Sequence, residues 1–274
     1  MNSTLEKNIQ LRTRGNGHGA ITRLVSPGDV GELIKPFVFL DFFDFDPKRS
    51  PGIGFHPHSG IATVTVVLEG QLTYEETSGT KGIIDTKGVE WMRAGGGVWH
   101  TGGAAGTARV KGYQLWIALP PEMESLPSQA QYLGREHFQS QGPARVILGR
   151  YGSAASKLPA PKTLNYLDVA LKKGEIWRYE MPTGHDIAWI AVHSGSVATP
   201  EPVTKGELAV FAEGNRTLEF EALEDTGFIL GSAVKHPHEL FLGNYSVHTS
   251  EQALVKGEAN IVELGKQLRA EGRL

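Results

Sequence analysis

The chain has 274 residues, 40% of them hydrophobic and 21% charged, enough for two modest domains with a sizeable core. With 27 basic against 30 acidic residues, a formal charge of -3 and no Lys/Arg-rich block, direct nucleic-acid binding is not expected. The absence of cysteine removes disulfides, thiolate metal sites and thiol nucleophiles together, so any metal must sit on nitrogen and oxygen. Met1 to Lys7 carries no apolar leader segment and no stretch approaches the roughly 20 apolar residues of a membrane span, which predicts a cytoplasmic protein with no membrane partner.

In chain order, a polar, Gly-rich start to about Gly19 leads into a short strand at Ala20–Val25, ended by the turn signal Ser26-Pro27-Gly28-Asp29. Phe37 to Phe43 reads as a buried strand, followed by a Pro/Gly-rich link at Ser50–Gly54. Hairpin turns at Glu69-Gly70 and Ser78-Gly79 delimit strands near 61–68, 71–76 and 82–85, with further strands at Val89–Met92 and Tyr113–Leu119. From Pro120 to about Gln141 no periodicity is sustained. Strand signals then resume at Arg145–Leu148, Asn165–Leu171, Glu175–Tyr179, Ala188–His193, Glu207–Phe211, Arg216–Ala222 and Thr226–Leu230. So many short strands indicate an all-β sandwich or barrel, and the matching spacing of the two halves suggests a duplicated unit. Thr249-Ser250-Glu251 offers a helix N-cap, and Ala259 to Ala270 has helical spacing, so a C-terminal helix is expected, packing back across the domain junction.

The stretch from Phe55 to Thr101 holds three histidines at its two ends. In an extended segment His56 and His58 project the same way, and the even positions Ala62, Val64, Val66 and Leu68 share that face unless a bulge at Pro57 or Gly60 resets the alternation. Two imidazoles on a dry interior face need polar partners, because an unpaired buried polar group costs roughly 1–3 kcal/mol. A shared metal ion would satisfy both.

Phe55-His56-Pro57-His58, Thr63-Val64-Thr65, Val67-Leu68-Glu69-Gly70, Trp91-Met92, Ala94-Gly95, His100 and Gln114-Leu115-Trp116 together resemble the pirin family of bicupins. The resemblance covers most of residues 20–120 and continues more faintly through Gly231, Pro237, Gly243 and Gly272-Arg273. It implies two cupin (jelly-roll type) β-barrels facing each other, with one metal, usually iron, in the first. The implied organisation is an N-terminal barrel at 1–125, a linker at 126–142, a C-terminal barrel at 143–248, and a helix and tail at 249–274. Matched position by position, the implied metal ligands are His56, His58 and His100. The family's fourth ligand, a glutamate, falls on Gly102, and Ala62 stands where relatives often carry a second acid.

The resemblance implies Fe(II) first, whose usual facial set is two histidines and a carboxylate; three neutral imidazoles also suit Zn(II), Cu(II) or Ni(II), Mn(II) is a further alternative, and an empty site remains another. Water, the Thr101 hydroxyl or another acid such as Glu90 could take the fourth position. Gln114, alone among apolar neighbours, is a candidate to meet a ligand or a metal-bound water, alongside Thr101 and Gly102. Trp91, Trp99 and Trp116 are expected as barrel walls, with Trp99 turned to the face opposite His100.

His236-Pro237-His238 copies the first motif, but no Gly-rich partner follows the nearest histidines, His193 and His248, and no second metal site is expected. Gly95-Gly96-Gly97 lacks the Lys-Ser/Thr pair of a phosphate loop, and no G-x-S-x-G nucleophile elbow occurs. The family resemblance implies two functions. One is oxygen-dependent cleavage of a flavonol such as quercetin, with a small aromatic or flavonoid-like ligand. The other is a non-enzymatic, redox- or metal-linked role on a protein partner such as a transcription factor or metabolic enzyme. No catalytic residue or organic cofactor is assigned.

Overall fold

The computed structural model describes residues 7–48 and 52–274. The leader reading at 1–6 and the beginning of the link at 50–54 lie outside the described residues. The protein is dominated by β-strands, and among the described residues no helix is long and apolar enough to cross a membrane. By contacts the chain divides into two units of interleaved sequence: residues up to Gly15 with His137–Lys235, and Asn16–Glu136 with His236–Leu274.

Each unit pairs a seven-stranded sheet with a four-stranded one, as the duplicated spacing implies. In the unit built on Asn16–Glu136, the larger sheet runs Gln129–Leu133, Val89–Arg93, Ile61–Glu69, Val110–Ala118, Phe37–Phe45, Ile21–Val25 and Asn16–His18. The smaller sheet runs Ile53–His58, Val98–Ala104, Leu72–Glu76 and Lys81–Ile84. Residues 126–142 therefore differ from the structureless connection expected there. Gln129–Leu133 pairs antiparallel with Val89–Arg93 at the sheet edge, a one-sided pairing that leaves little hydrophobic alternation to read. Among the short elements that escape the sequence pattern for want of length are the helical turn Val30–Ile34 and the strand Asn16–His18.

In the other unit the strand Ile9–Thr13 joins Leu208–Phe211 at the edge of the seven-stranded sheet. The boundary expected between residues 125 and 143 thus differs from the contact-based one at both chain ends, because strand pairing over 200 residues of separation leaves no local signal. Trp177, Phe220 and Phe228 fill this unit's interior, with ring centroids 5.5 Å and 5.1 Å apart in sequence, in a cluster drawn from both sheets. At its end Asn165 Nδ2 donates to the Tyr179 hydroxyl at 2.9 Å, and the Ser232 hydroxyl lies 2.7 Å from that oxygen and 2.9 Å from His185 Nδ1.

The helix Glu251–Ala270 begins on Ser250, whose side chain accepts from Ala253 N–H, eight residues before the spacing alone placed its periodic part. It packs on Val98–Ala104 of the same unit. Trp99, turned away from His100 as expected, donates from Nε1 to the Ile261 carbonyl at 2.7 Å.

Two consequences are measurable. A Cβ on Gly257 would stand 2.5 Å from His248 Nε2 and 2.6 Å from Ser59 Oγ. Gly257→Ala, which in an exposed helix would stabilise by roughly 0.5–1 kcal/mol, should instead destabilise by about 1–3 kcal/mol in urea unfolding. Burial lowers the His185 pKa to about 4, with Asp186 opposing. Between the ordinary value near 6.5 and about 4, the unfolded chain binds a proton that the folded one does not. This group alone should therefore cost on the order of 2–3 kcal/mol of stability as pH drops through that window, added to the loss from other buried histidines. His185→Gln should narrow, relative to wild type, the gap between unfolding midpoints measured at pH 7 and pH 4.5.

Candidate metal centre

Alternation along Ile53–His58 puts His56 and His58 on one face, and the antiparallel neighbour Val98–Ala104 brings His100 directly opposite His56. The three ring centroids are 4.4 Å (His56 to His100), 4.9 Å (His56 to His58) and 5.0 Å (His58 to His100) apart. One nitrogen from each lies within 4.8 Å of the others, the one such group of three or more ligand side chains among the described residues.

The hydrogen bonds on the far side of the rings fix their roles. His56 Nδ1 lies 2.9 Å from the Gly54 carbonyl and His58 Nδ1 3.0 Å from the Tyr245 carbonyl. A carbonyl only accepts, so Nδ1 carries the proton in both rings and Nε2 keeps its lone pair. His58 Nε2 and His100 Nε2 are buried with no hydrogen-bond partner. Leaving such atoms unmet costs roughly 1–3 kcal/mol each, and a divalent ion held by imidazole nitrogen removes that cost. Burial, then the charge of His100, lowers the His56 pKa to about 4, and burial followed by the two neighbouring imidazoles holds His58 well below its ordinary value. At neutral pH both are uncharged donors. The donor set therefore fits a divalent ion that accepts nitrogen ligands.

The strand Ile61–Glu69 departs from the expected parity. Gly60 takes φ +75, a conformation open to glycine, where the chain passes from the smaller sheet to the larger. The odd positions face the histidines as a result: Thr65 lines the pocket beside His56 and His100. Ile61 belongs to an apolar cluster with Phe39, Met92 and Trp116, and Val67 to another with Phe43, Phe45 and Leu72. Between the two clusters a polar row crosses the sheet in register, Arg23–Asp41–Gln114–Thr65–Glu90–Tyr132. Sequence reasoning found Gln114 but not the row, which exists only once six strands are aligned.

Glu90 is 3% exposed; its Oε2 accepts from Thr65 Oγ1 at 2.6 Å and its Oε1 lies 3.8 Å from His100 Nδ1. Burial pushes its pKa up, but proximity to His100 and the Thr65 bond outweigh this and hold the carboxyl below its ordinary value. Thr101 Oγ1 donates to the Ile53 carbonyl at 2.6 Å and so is committed to backbone. Gly102, Thr101 and Gln114 line the pocket together with Phe43, Phe45 and Tyr74, and its cavity is about 40 Å³. A Cβ on Gly102 would stand 2.9 Å from the Thr73 carbonyl oxygen, so a glutamate at this position requires the strands to shift.

Behind His58 lies a second buried cluster. Ser59 Oγ is 2.8 Å from Ser246 Oγ and 3.0 Å from His248 Nε2, and His248 Nδ1 is 3.4 Å from Glu124 Oε2. Glu124 also accepts from Thr249 N–H and Oγ1, both at 2.8 Å. The order Ser–His–Glu is that of a hydrolase triad, yet Ser59 and Ser246 are wholly enclosed, so no acyl substrate reaches them. The cluster instead fastens residues 245–249 beside His58 and holds the Tyr245 carbonyl on its ring. In the copy of the motif, His236 Nε2 lies 3.4 Å from the Leu119 carbonyl and Nδ1 accepts from His238 N–H.

Two units of seven- and four-stranded sheets, with three imidazoles converging in one of them, define a two-barrel cupin protein with a candidate metal centre. The Pirin family model matches residues 20–117. A pirin-like protein of Caulobacter vibrioides is 31% identical over 82% of this chain and 84% of its own length. The protein belongs to the pirin family. A quercetin 2,3-dioxygenase from Acinetobacter baumannii superposes with a TM-score of 0.83 at 25% identity, covering 93% of this chain and 96% of that one. The pirin YhhW of Escherichia coli, solved with nickel(II), has the same fold (TM-score 0.65, 21% identity, 81% and 95% covered).

His58→Ala removes one of the three nitrogen donors and should lower bound metal at least about tenfold, measured by elemental analysis of protein purified without chelators. Unchanged stoichiometry would place the ion elsewhere.

Proposed function

We propose that the protein is a metal-dependent pirin acting on a small oxygen-bearing aromatic, with quercetin-type flavonol dioxygenation as its reaction. The observation that carries this reading is the pair of buried, partnerless Nε2 atoms of His58 and His100, which cluster with His56 beside a pocket lined by His56 and His100. A bound divalent ion, Fe(II) first and Ni(II), Cu(II), Mn(II) or Zn(II) as alternatives, would polarise a ligand oxygen as a Lewis acid. His56, His58 and His100 would hold it. Phe43, Phe45 and Tyr74 offer the ligand apolar and aromatic wall, and Gln114 and Thr65 offer polar contacts between those walls. The quercetinase likeness at 25% identity supports the same chemistry.

Two observations favour a second, non-enzymatic reading, a metal-linked regulatory protein. Gly102 brings no proton acceptor to the pocket, and about 40 Å³ is room for a few water molecules, so a flavonol enters only if the walls move.

Aerobic quercetin consumption separates the two. Protein reconstituted in turn with Fe(II), Cu(II), Mn(II) and Ni(II) should bleach the flavonol absorbance with at least one of them. Flat traces with all four, on protein shown to carry each metal, remove the enzymatic reading.

A further inference from the structure

A divalent ion held by three neutral imidazoles keeps its full charge, and in a buried site that charge needs an anion nearby. The family position for that anion is Gly102, where the backbone spacing no longer admits a side chain without a shift. Glu90 is the one carboxylate lining the pocket among the described residues. Glu76, opposite His100 on the neighbouring strand, has its oxygens taken by Ser78 N–H and Oγ.

Glu90 does not join the three histidines as a ligand; it sits on the other side of His100, with Oε1 3.8 Å from Nδ1. That is an ion-pair distance rather than a hydrogen bond. Thr65 anchors the second oxygen at 2.6 Å, and strand register places Glu90 between Thr65 and Tyr132. Where the Gly54 and Tyr245 carbonyls accept from Nδ1 of His56 and His58 at 2.9 Å and 3.0 Å, His100 Nδ1 has a carboxylate oxygen nearby at the longer distance of 3.8 Å.

We propose that Glu90 is a positioning residue that supplies, through the His100 ring, the negative charge that no side chain at position 102 supplies directly. It orients the ring with Nδ1–H toward the carboxylate and Nε2 toward the ion. The inference rests on the metal-binding reading of the three histidines and adds to it the residue that balances their ion.

The test is Ni(II) affinity by chelator competition, together with the Fe(III)/Fe(II) midpoint potential of iron-loaded protein, on wild type, Glu90→Gln and Glu90→Asp. Glu90→Gln keeps the shape and removes the charge; Ni(II) affinity should fall about 10- to 100-fold, and the potential should become more positive because Fe(III) loses more than Fe(II) does. Glu90→Asp keeps the charge one methylene further from His100 and should give an intermediate affinity, which also serves if Glu90→Gln fails to fold. Affinity equal to wild type in the folded variants, or a potential that does not move, overturns the role of Glu90. Failure of the wild-type protein to take up Ni(II) would instead overturn the metal-binding reading itself.

Discussion

The structure around the candidate site depends on a shortage of hydrogen-bond partners. His58 Nε2 and His100 Nε2 are shut away from water with nothing to meet them, while the other nitrogens of His56 and His58 are turned onto backbone carbonyls. A core built only for stability would not bring three imidazoles within 5.0 Å of one another, because each loses solvation and His58 Nε2 and His100 Nε2 gain no hydrogen bond in return. Everything nearby serves to hold that costly geometry: the carbonyls that fix the tautomers, the edge-on contact of Trp116 with His58 at 4.7 Å, and the two apolar clusters either side of the polar row.

Much of the support comes from the far end of the chain. Tyr245 contributes its carbonyl to His58 and a ring centred 6.2 Å from those of His56 and His58, and the Ser59–Ser246–His248–Glu124 cluster holds its segment in place. The helix beyond adds Asn260 Nδ2 to the Gly96 carbonyl at 2.7 Å and Trp99 Nε1 to the Ile261 carbonyl, so the Gly-rich bend leading to His100 is braced from outside. The other unit uses the same sheet plan to a different end. Its interior carries Trp177, Phe220 and Phe228, and its buried histidine, His185, is satisfied by Ser232.

Strand positions were legible because hydrophobic alternation and turn residues are local: the hairpins at Gly70 and Gly79 and the strands ending at Leu171, Tyr179 and Phe211 lie within a residue or two of their expected bounds. Which face a strand presents was not always legible. One residue with positive φ, Gly60, inverts the parity of Ile61–Glu69 and turns Thr65 rather than Val64 or Val66 toward the histidines. Glu90 was readable as one candidate for the fourth position, but not its place beside His100, since that comes from alignment with Thr65 and from the approach of His100.

The amino-acid sequence alone determined the all-β class, the family, the three histidines and a glycine at position 102, because each is written in residue identity or short-range spacing. Tertiary structure alone decided which nitrogens remain without partners, that Glu90 stands beside His100 Nδ1 rather than among the three clustered histidines, and that the chain ends are exchanged between the units. Those outcomes depend on pairing and packing between residues tens to hundreds of positions apart, and no local pattern of side chains encodes such distances.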